Sequence, residues 1–295
     1  MELTGYLDFW FRNLPIVERV QHFERLGIRR LDVWLWRERP MAEIYAECQQ
    51  RGMIINSTFD GDCGNLVDAT DHDRVLRAWS ESLEAATKWE IPHLFIFSNQ
   101  IDVGPKGEWV QRLNRDYTPG EMYANLLDGV EKVLKLVKQT KVQLWFEALN
   151  TFHIHGGVFV CTHDLAADVV RRFDDPQLRL SFDCYHQQRT AGNLIWGMEE
   201  YAGLYPTFHI GDCPTRQEPG TGEINFARIS QKLDELGFDG LIGMECYPST
   251  TEEEALARIR SFFSKSKVDK ETRRQGDRRL FALSTCLLVY PREIS

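Results

Sequence analysis

The chain alternates short apolar runs with longer amphipathic stretches, and this alternation is its most regular feature. Eight runs have the length and residue types of buried β-strands, at 5–11, 30–36, 53–59, 93–98, 142–149, 178–185, 206–211 and 241–246. Amphipathic stretches with apolar residues at helical spacing lie between most of them, at 16–26, 41–50, 71–90, 119–140, 162–173, 226–236 and 251–264. The pattern therefore predicts repeated strand-then-helix units.

The runs are too apolar for strands that are buried on one face only, which favours a parallel sheet covered by helices. Eight such units predict an α/β fold, a single-domain (β/α)8 TIM barrel over residues 1–264. A doubly wound open sheet is the alternative, and no G-x-G-x-x-G follows the first run. Residues 265–295 form a C-terminal extension of unknown role, either a frayed or externally packed segment or an arm for a homo-oligomer.

Composition excludes several classes of partner. A net charge of −9 leaves no basic surface for nucleic acid. No apolar run reaches the ~18 residues that cross a bilayer, so no membrane association is expected. Seven scattered cysteines without a C-x-x-C pair indicate reduced thiols, and the first residues lack a basic segment before a long apolar run. We therefore expect a cytoplasmic protein with a sizeable core.

Four of the runs each carry one metal-type ligand at or near their end. These are Glu147 in LWFEALN, Asp183 in LSFDCYH, His209 in TFHIGD and Glu245 in IGMECYP. Strands of a parallel barrel end on one face, so the four side chains should converge there. Three carboxylates and one imidazole predict a site for one divalent ion, Mn²⁺ or Mg²⁺. Each residue alone would more often be a cap, an ion-pair partner or, for His209, a core histidine.

Three segments carry a resemblance to a known family: SFDCYHQQRTAGNL, HIGDCPTRQEPGTGEINF and GFDGLIGMECYP. They resemble the hydroxypyruvate isomerases, members of the xylose isomerase-like TIM barrels that also include the ketose 3-epimerases. The resemblance is dense over 144–248, thinner from residue 5 onward, and does not cover the tail. It implies that Glu147 and Glu245 both bind the metal and face the carbon that loses a proton, and that Asp183 is a further ligand.

The same resemblance assigns residues that contact substrate. His186 matches a substrate-contacting histidine that could donate to a substrate oxygen, and Arg216 matches a substrate-binding arginine, although it could instead pair with Glu218 or Glu223. Asn150 ends the sequence Glu-Ala-Leu-Asn where the family has E-P-x-N, and we predict that it binds substrate. His209 stands where hydroxypyruvate isomerases commonly have Gln and ketose 3-epimerases have His, which favours a sugar-sized substrate.

Aromatic residues of the early strands bear on the size of the pocket. Period-two counting places Trp34 and Trp36 on one face with Asp32, and Phe9 and Phe11 are similar on the first strand. The resemblance implies an acidic inward residue at Asp32, so both tryptophans should also point inward. We predict that Trp36, nearest the end of its strand, contacts substrate; plain core filling is the alternative.

A loop after the fifth strand adds two further candidates. His153 and His155 follow Asn150 there, where each either contacts substrate or is solvated.

These residues predict an isomerase or epimerase that acts on a keto-sugar or a small hydroxy-ketoacid through an enediolate. Removal of a proton beside a carbonyl needs a positioned carboxylate and a stabiliser for the charge that develops on oxygen. A metal-dependent lyase acting on keto-C-glycosides could use the same site. A non-catalytic sugar-binding barrel is a third alternative, which two opposed carboxylates disfavour. An endonuclease-type phosphodiesterase would need more histidines at the strand ends.

Overall fold

A closed barrel of eight parallel strands forms the centre of the computed structural model, which describes residues 1–104 and 107–263. The strands are β1 (Glu2–Tyr6), β2 (Arg30–Val33), β3 (Ile54–Thr58), β4 (His93–Ile96), β5 (Ile101–Gly104), β6 (Gly107–Val110), β7 (Gln143–Glu147), β8 (Leu178–Asp183), β9 (Thr207–His209) and β10 (Leu241–Met244). The barrel order is β1-β2-β3-β4-β7-β8-β9-β10, closed by pairing of β10 with β1, while β5 and β6 form a separate antiparallel hairpin.

Helices follow the barrel strands. They are α1 (Ile16–Arg25), α2 (Met41–Gln50), α3 (His72–Lys88), α4 (Pro119–Val137), α5 (His163–Phe173), α6 (Cys184–Thr190), α7 (Leu194–Glu200), α8 (Phe226–Glu235) and α9 (Glu252–Phe263). The predicted single-domain (β/α)8 barrel is confirmed. The helices α6 and α7 and the β5–β6 hairpin were not predicted, because each is too short to show a clear hydrophobic period.

The barrel interior contains a buried carboxylate, Asp32, with polar hydrogen-bond partners around it. Asp32 on β2 is 1% exposed and accepts hydrogen bonds from Thr4, from Asn56 at 2.6 Å and from Ser57 at 2.5 Å. Burial still raises the pKa of Asp32 above its usual value. A fully bonded carboxylate at this depth is tolerated because each acceptor position has a partner, and it lies beneath the residues described in the next subsection.

The first strand lies earlier in the chain than the apolar run 5–11 predicted. The backbone turns after Tyr6, whose carbonyl oxygen accepts from the N–H groups of Phe9 and Trp10. The prediction that Phe9 and Phe11 are inward strand residues is therefore wrong. Phe9 packs on Tyr6 from the following loop, while Phe11 packs on Phe23 of α1.

The second strand also ends early, at Val33. Leu35 has φ +57°, a left-handed conformation that breaks the period-two alternation. As a result Trp34 and Trp36 do not share a face. The Trp36 indole N–H donates to Ser82 on α3 at 3.1 Å, and its ring contacts Trp89 at 6.0 Å.

The extension predicted at 265–295 lies outside the described residues. Within 1–104 and 107–263, no helix is long and apolar enough to cross a bilayer.

Candidate functional site

The four predicted ligand residues converge at the carboxyl ends of four adjacent barrel strands. Glu147, Asp183 and His209 are the last residues of β7, β8 and β9, and Glu245 directly follows β10. One ligand atom from each lies within 4.8 Å of those of the others, and all four side chains are at most 5% exposed. Parallel pairing in register brings them together, with Asp183 opposite His209. These residues occupy the face of the barrel where loops can cover a ligand.

The cluster holds more negative charge than its surroundings compensate. His209 Nδ1 lies 2.9 Å from Glu245 Oε2 and 3.7 Å from Glu147 Oε1. The Glu147 oxygen has no hydrogen-bond partner among the residues that the structure describes. Burial, together with the charge of Glu245, raises the pKa of Glu147 to about 8 and that of Asp183 to about 6. Burial opposes protonation of His209, but the two glutamates raise its pKa well above the usual value.

This donor set fits a divalent cation. A buried carboxylate oxygen without a partner costs free energy unless a cation or a proton satisfies it, and Glu147 Oε1 is such an atom. Three carboxylates and one imidazole suit a hard ion such as Mn²⁺ or Mg²⁺. A cation would also favour the ionised forms of Glu147 and Asp183, whose pKa values burial raises.

Helix α6 positions His186 beside the cluster. Asp183 caps this helix, since its Oδ1 accepts from the N–H groups of Tyr185 at 2.7 Å and His186 at 3.1 Å. The Asn150 side-chain nitrogen donates to the Phe152 carbonyl. The Asn150 side-chain oxygen lies 2.6 Å from His186 Nδ1, and the Asn150 backbone N–H lies 3.3 Å from the same nitrogen. Asn150 therefore holds the His186 ring through Nδ1.

The surroundings of His186 favour its neutral form. Burial, reinforced by the nearby Arg216 guanidinium, lowers the pKa of His186 well below its usual value. Its Nε2 faces the cluster, 3.4 Å from Arg216 Nη2 and 3.7 Å from Asp183 Oδ2. Asn150 thus orients His186 and is itself fully buried behind it.

Arg216 reaches into the cluster rather than pairing with its loop neighbours. Its Nη2 contacts Glu245 Oε1 and lies 3.4 Å from Asp183 Oδ2. Its guanidinium lies over the rings of Phe9 at 5.2 Å and Tyr185 at 5.0 Å, which hold its plane in place. Its Nε is buried without a hydrogen-bond partner.

The loop that carries Arg216 is ordered by one buried carboxylate. Both oxygens of Asp212 accept backbone N–H groups, those of Cys213, Gly220, Gly222 and Ile224, at 2.8–3.0 Å. These hydrogen bonds explain why the segment between His209 and Phe226 folds as an ordered loop. Arg216 itself has φ +56°, a conformation that the loop must impose on it.

Glu218 lies in the same loop and has a structural role. It accepts from Ser249 and from Arg258 of α9. It therefore anchors the loop to the barrel's outer helix, and it leaves Arg216 free to face the cluster.

A small cavity opens beside two of the ligand residues, Glu147 and Glu245. Its lining residues are Tyr6, Trp34, Phe59, Phe95, Phe97, Ile101, Glu108, Glu147, Leu149, His155, His186, Arg216 and Glu245. Trp36, predicted to contact substrate, is absent from this wall because the turn at Leu35 directs it to α3. Trp34 lines the cavity instead.

Sequence reasoning missed Tyr6 and Glu108 as lining residues and left the role of His155 open. Glu108 comes from the β5–β6 hairpin, whose position over the barrel has no signal in the local pattern. The cavity combines an aromatic wall with charged groups, as small-molecule sites commonly do.

The sequence matches the family described as "Xylose isomerase-like TIM barrel" over residues 20–265. Among curated relatives, the hydroxypyruvate isomerase of Escherichia coli K12 is 29% identical over 143 residues, covering 48% of this chain and 54% of that protein. The 2-oxo-tetronate isomerase of Haemophilus influenzae is 24% identical over 256 residues, covering 84% and 93%.

Solved structures show the same fold at low sequence identity. An AP endonuclease of family 2 from Brucella melitensis superposes with a TM-score of 0.75 at 19% identity, covering 88% of this chain and 98% of that one. The D-psicose 3-epimerase of Clostridium cellulolyticum H10, solved with D-tagatose, gives 0.67 at 15% identity, covering 96% and 99%. These likenesses establish the barrel architecture.

Proposed function

The chain belongs to the xylose isomerase-like TIM barrel family, and from this premise we propose that it isomerises or epimerises a keto-sugar or a small hydroxy-ketoacid. The observation that carries the proposal is the meeting of two buried carboxylates, Glu147 and Glu245, which both face His209 Nδ1 and both line one cavity. Relatives with isomerase names support the reaction class. A binding protein would have no need for two buried carboxylates in contact with one ligand.

We propose that Glu147, Asp183, His209 and Glu245 hold one divalent ion, Mn²⁺ or Mg²⁺. When bound, the ion would polarise the substrate carbonyl and lower the free energy of the enediolate. The unpartnered Glu147 oxygen and the raised pKa values of Glu147 and Asp183 support the assignment.

Glu147 and Glu245 carry out the proton transfers. One carboxylate removes a proton from the carbon beside the carbonyl, and the other, or the same one, returns a proton to the enediolate. Return to the same carbon from the opposite side inverts it, as in an epimerase. Return to the neighbouring carbon moves the carbonyl, as in an isomerase.

His186 and Arg216 would hold the substrate during these steps. His186 lines the cavity and can hydrogen-bond a substrate hydroxyl through Nε2, since Nδ1 is held by Asn150. Arg216 offers guanidinium N–H groups to a hydroxyl or carboxylate oxygen, including the Nε–H, which has no partner in the described part of the chain. Aromatic side chains at the cavity wall exclude water from the reacting carbon.

A panel of ketoses, hydroxypyruvate and keto-C-glycosides in deuterated water tests the proposal. We expect one or more of the keto compounds to incorporate deuterium and form an isomer or epimer with Mn²⁺ or Mg²⁺ present, and to stop after chelation. Aglycone release from a keto-C-glycoside would instead identify a lyase. Absence of exchange into every compound would refute the proposed chemistry.

A further inference from the structure

A carboxylate–imidazole pair that the mechanism above does not use lines the same cavity. Glu108 lies on β6 of the hairpin and His155 in the loop after β7, 47 residues apart in sequence. Their side chains meet with His155 Nε2 2.5 Å from Glu108 Oε2, and the His155 N–H donates to the Glu108 carbonyl at 3.4 Å. The two elements are therefore joined at the cavity by backbone and side-chain contacts.

One ring nitrogen of His155 has no partner among residues 1–104 and 107–263. His155 is 1% exposed, and its Nδ1 makes no hydrogen bond although the residue lines the cavity. Burial opposes ionisation of Glu108, but the hydrogen bond and charge of His155 lower the pKa of Glu108 below its usual value, so it accepts as a carboxylate. Nε2 therefore carries a proton, and Nδ1 is left to bond with something in the cavity.

Placement distinguishes this pair from the ligand cluster. The His155 ring lies 5.6 Å from that of His186, the residue that itself contacts Asp183, and His155 does not belong to the metal-type group. Glu108 is near enough to Arg216 for their charges to interact. The pair thus lies beside His186, outside the ligand group but in the same cavity, where a substrate larger than the reacting group can reach it.

We propose that His155, oriented by Glu108, binds a hydroxyl of the substrate distant from the reacting carbonyl and so selects polyhydroxylated ketoses over three-carbon hydroxy-ketoacids. The inference rests on the proposed function and names the substrate class of the same cavity. A buried polar atom without a partner is costly, and a sugar hydroxyl can both donate to and accept from it. A three-carbon ligand held at the reacting centre would leave Nδ1 unbonded.

Calorimetry and kinetics of manganese-loaded variants test this with two probes, D-fructose and hydroxypyruvate. For His155→Leu we expect D-fructose to bind about tenfold more weakly or worse, mainly as a rise in KM, with hydroxypyruvate changed less than about threefold. His155→Asn keeps a polar group near Nδ1 and should recover part of the loss. Glu108→Gln should act in the same direction, because it removes the group that orients the ring.

The controls separate this inference from the proposed function. Asp102→Asn removes a carboxylate from the same hairpin and should leave both probes unaffected. Wild-type protein that turns over neither probe would count against the proposed function, while D-fructose binding to wild type and His155→Leu would still decide the role of the pair. Equal losses for both probes, or equal D-fructose affinity in wild type and His155→Leu, would overturn the inference.

Discussion

Glutamine at position 147 should stop proton transfer while leaving substrate binding largely intact. The amide keeps an oxygen near its place but cannot accept the proton, and a positioned general base contributes about 10²–10⁴ in rate. We expect kcat to fall by about a thousandfold, equivalent to about 4 kcal/mol of transition-state stabilisation. KM should change only a few-fold, because His186 and Arg216 still contact the substrate.

The same substitution should make the metal-free protein more stable. Burial and the charge of Glu245 raise the pKa of Glu147 to about 8. The folded state therefore binds a proton that the unfolded state releases above its ordinary pKa, and stability falls as the pH rises from about 4.5 toward 8. Each unit of elevation corresponds to about 1.4 kcal/mol. A neutral glutamine avoids this cost, so we expect a gain on the order of 2 kcal/mol at pH 7.

Two measurements on one preparation of Glu147→Gln check the expected loss of rate and the expected gain in stability. Urea unfolding of the chelated protein at pH 5 and pH 7 should show the gain at pH 7 and a smaller one at pH 5. Turnover and solvent-deuterium exchange with Mn²⁺ should show the loss of rate, and Glu245→Gln should also lose turnover. In an epimerase one of the two variants could still exchange deuterium without forming product.

An exposed glutamate provides the matched control. Glu254→Gln on α9 should change neither activity nor the pH dependence of unfolding. Near-normal turnover of Glu147→Gln with metal bound would refute the paired-carboxylate reasoning and leave His186 as the candidate base. A less stable chelated variant at pH 7 would refute the electrostatic argument.

Asp183→Asn should weaken Mn²⁺ binding at least tenfold in a calorimetric titration with the fold unchanged by circular dichroism; unchanged affinity would remove Asp183 from the ligand set. Gly222→Ala should disrupt the Arg216 loop, because a Cβ there would lie 2.0 Å from the Cys213 carbonyl oxygen. We expect kcat/KM to fall at least tenfold, whereas Gly156→Ala, with nothing within 4 Å of its Cβ, should behave as wild type. Burial lowers the pKa of His163 to about 4, so the unfolded state binds more protons below pH 6.5 and stability falls on acidification. His163→Gln should remove about 2 kcal/mol of the loss in unfolding free energy between pH 7 and pH 5, and an unchanged slope would contradict this.

The sequence by itself determined the barrel and the four residues that end its strands. Hydrophobic period and length are local properties, so alternating runs identify strands and helices without knowledge of their neighbours. Parallel pairing then fixes which strand ends share a face. Glu147, Asp183 and His209 could be placed together on that argument, and the structure brings them within one cluster with Glu245.

Backbone turns decided where the aromatic residues point. Trp36 was expected at the cavity by counting alternate residues along β2. The left-handed Leu35 turns the chain, so Trp34 lines the cavity and Trp36 packs on α3. A conformation of this kind in a leucine has no signature in composition, because the surrounding contacts impose it.

Tertiary structure alone decided the pairing of Glu108 with His155. The residues lie on a hairpin and a loop that are 47 positions apart, and neither segment has a period that predicts a contact. Their meeting depends on how the β5–β6 hairpin folds over the barrel. The orientation of the His186 ring likewise depends on a distant partner, Asn150. Hydrogen bonds between separate loops depend on three-dimensional position, whereas the patterns that predict strands and helices depend only on residues close together in the sequence.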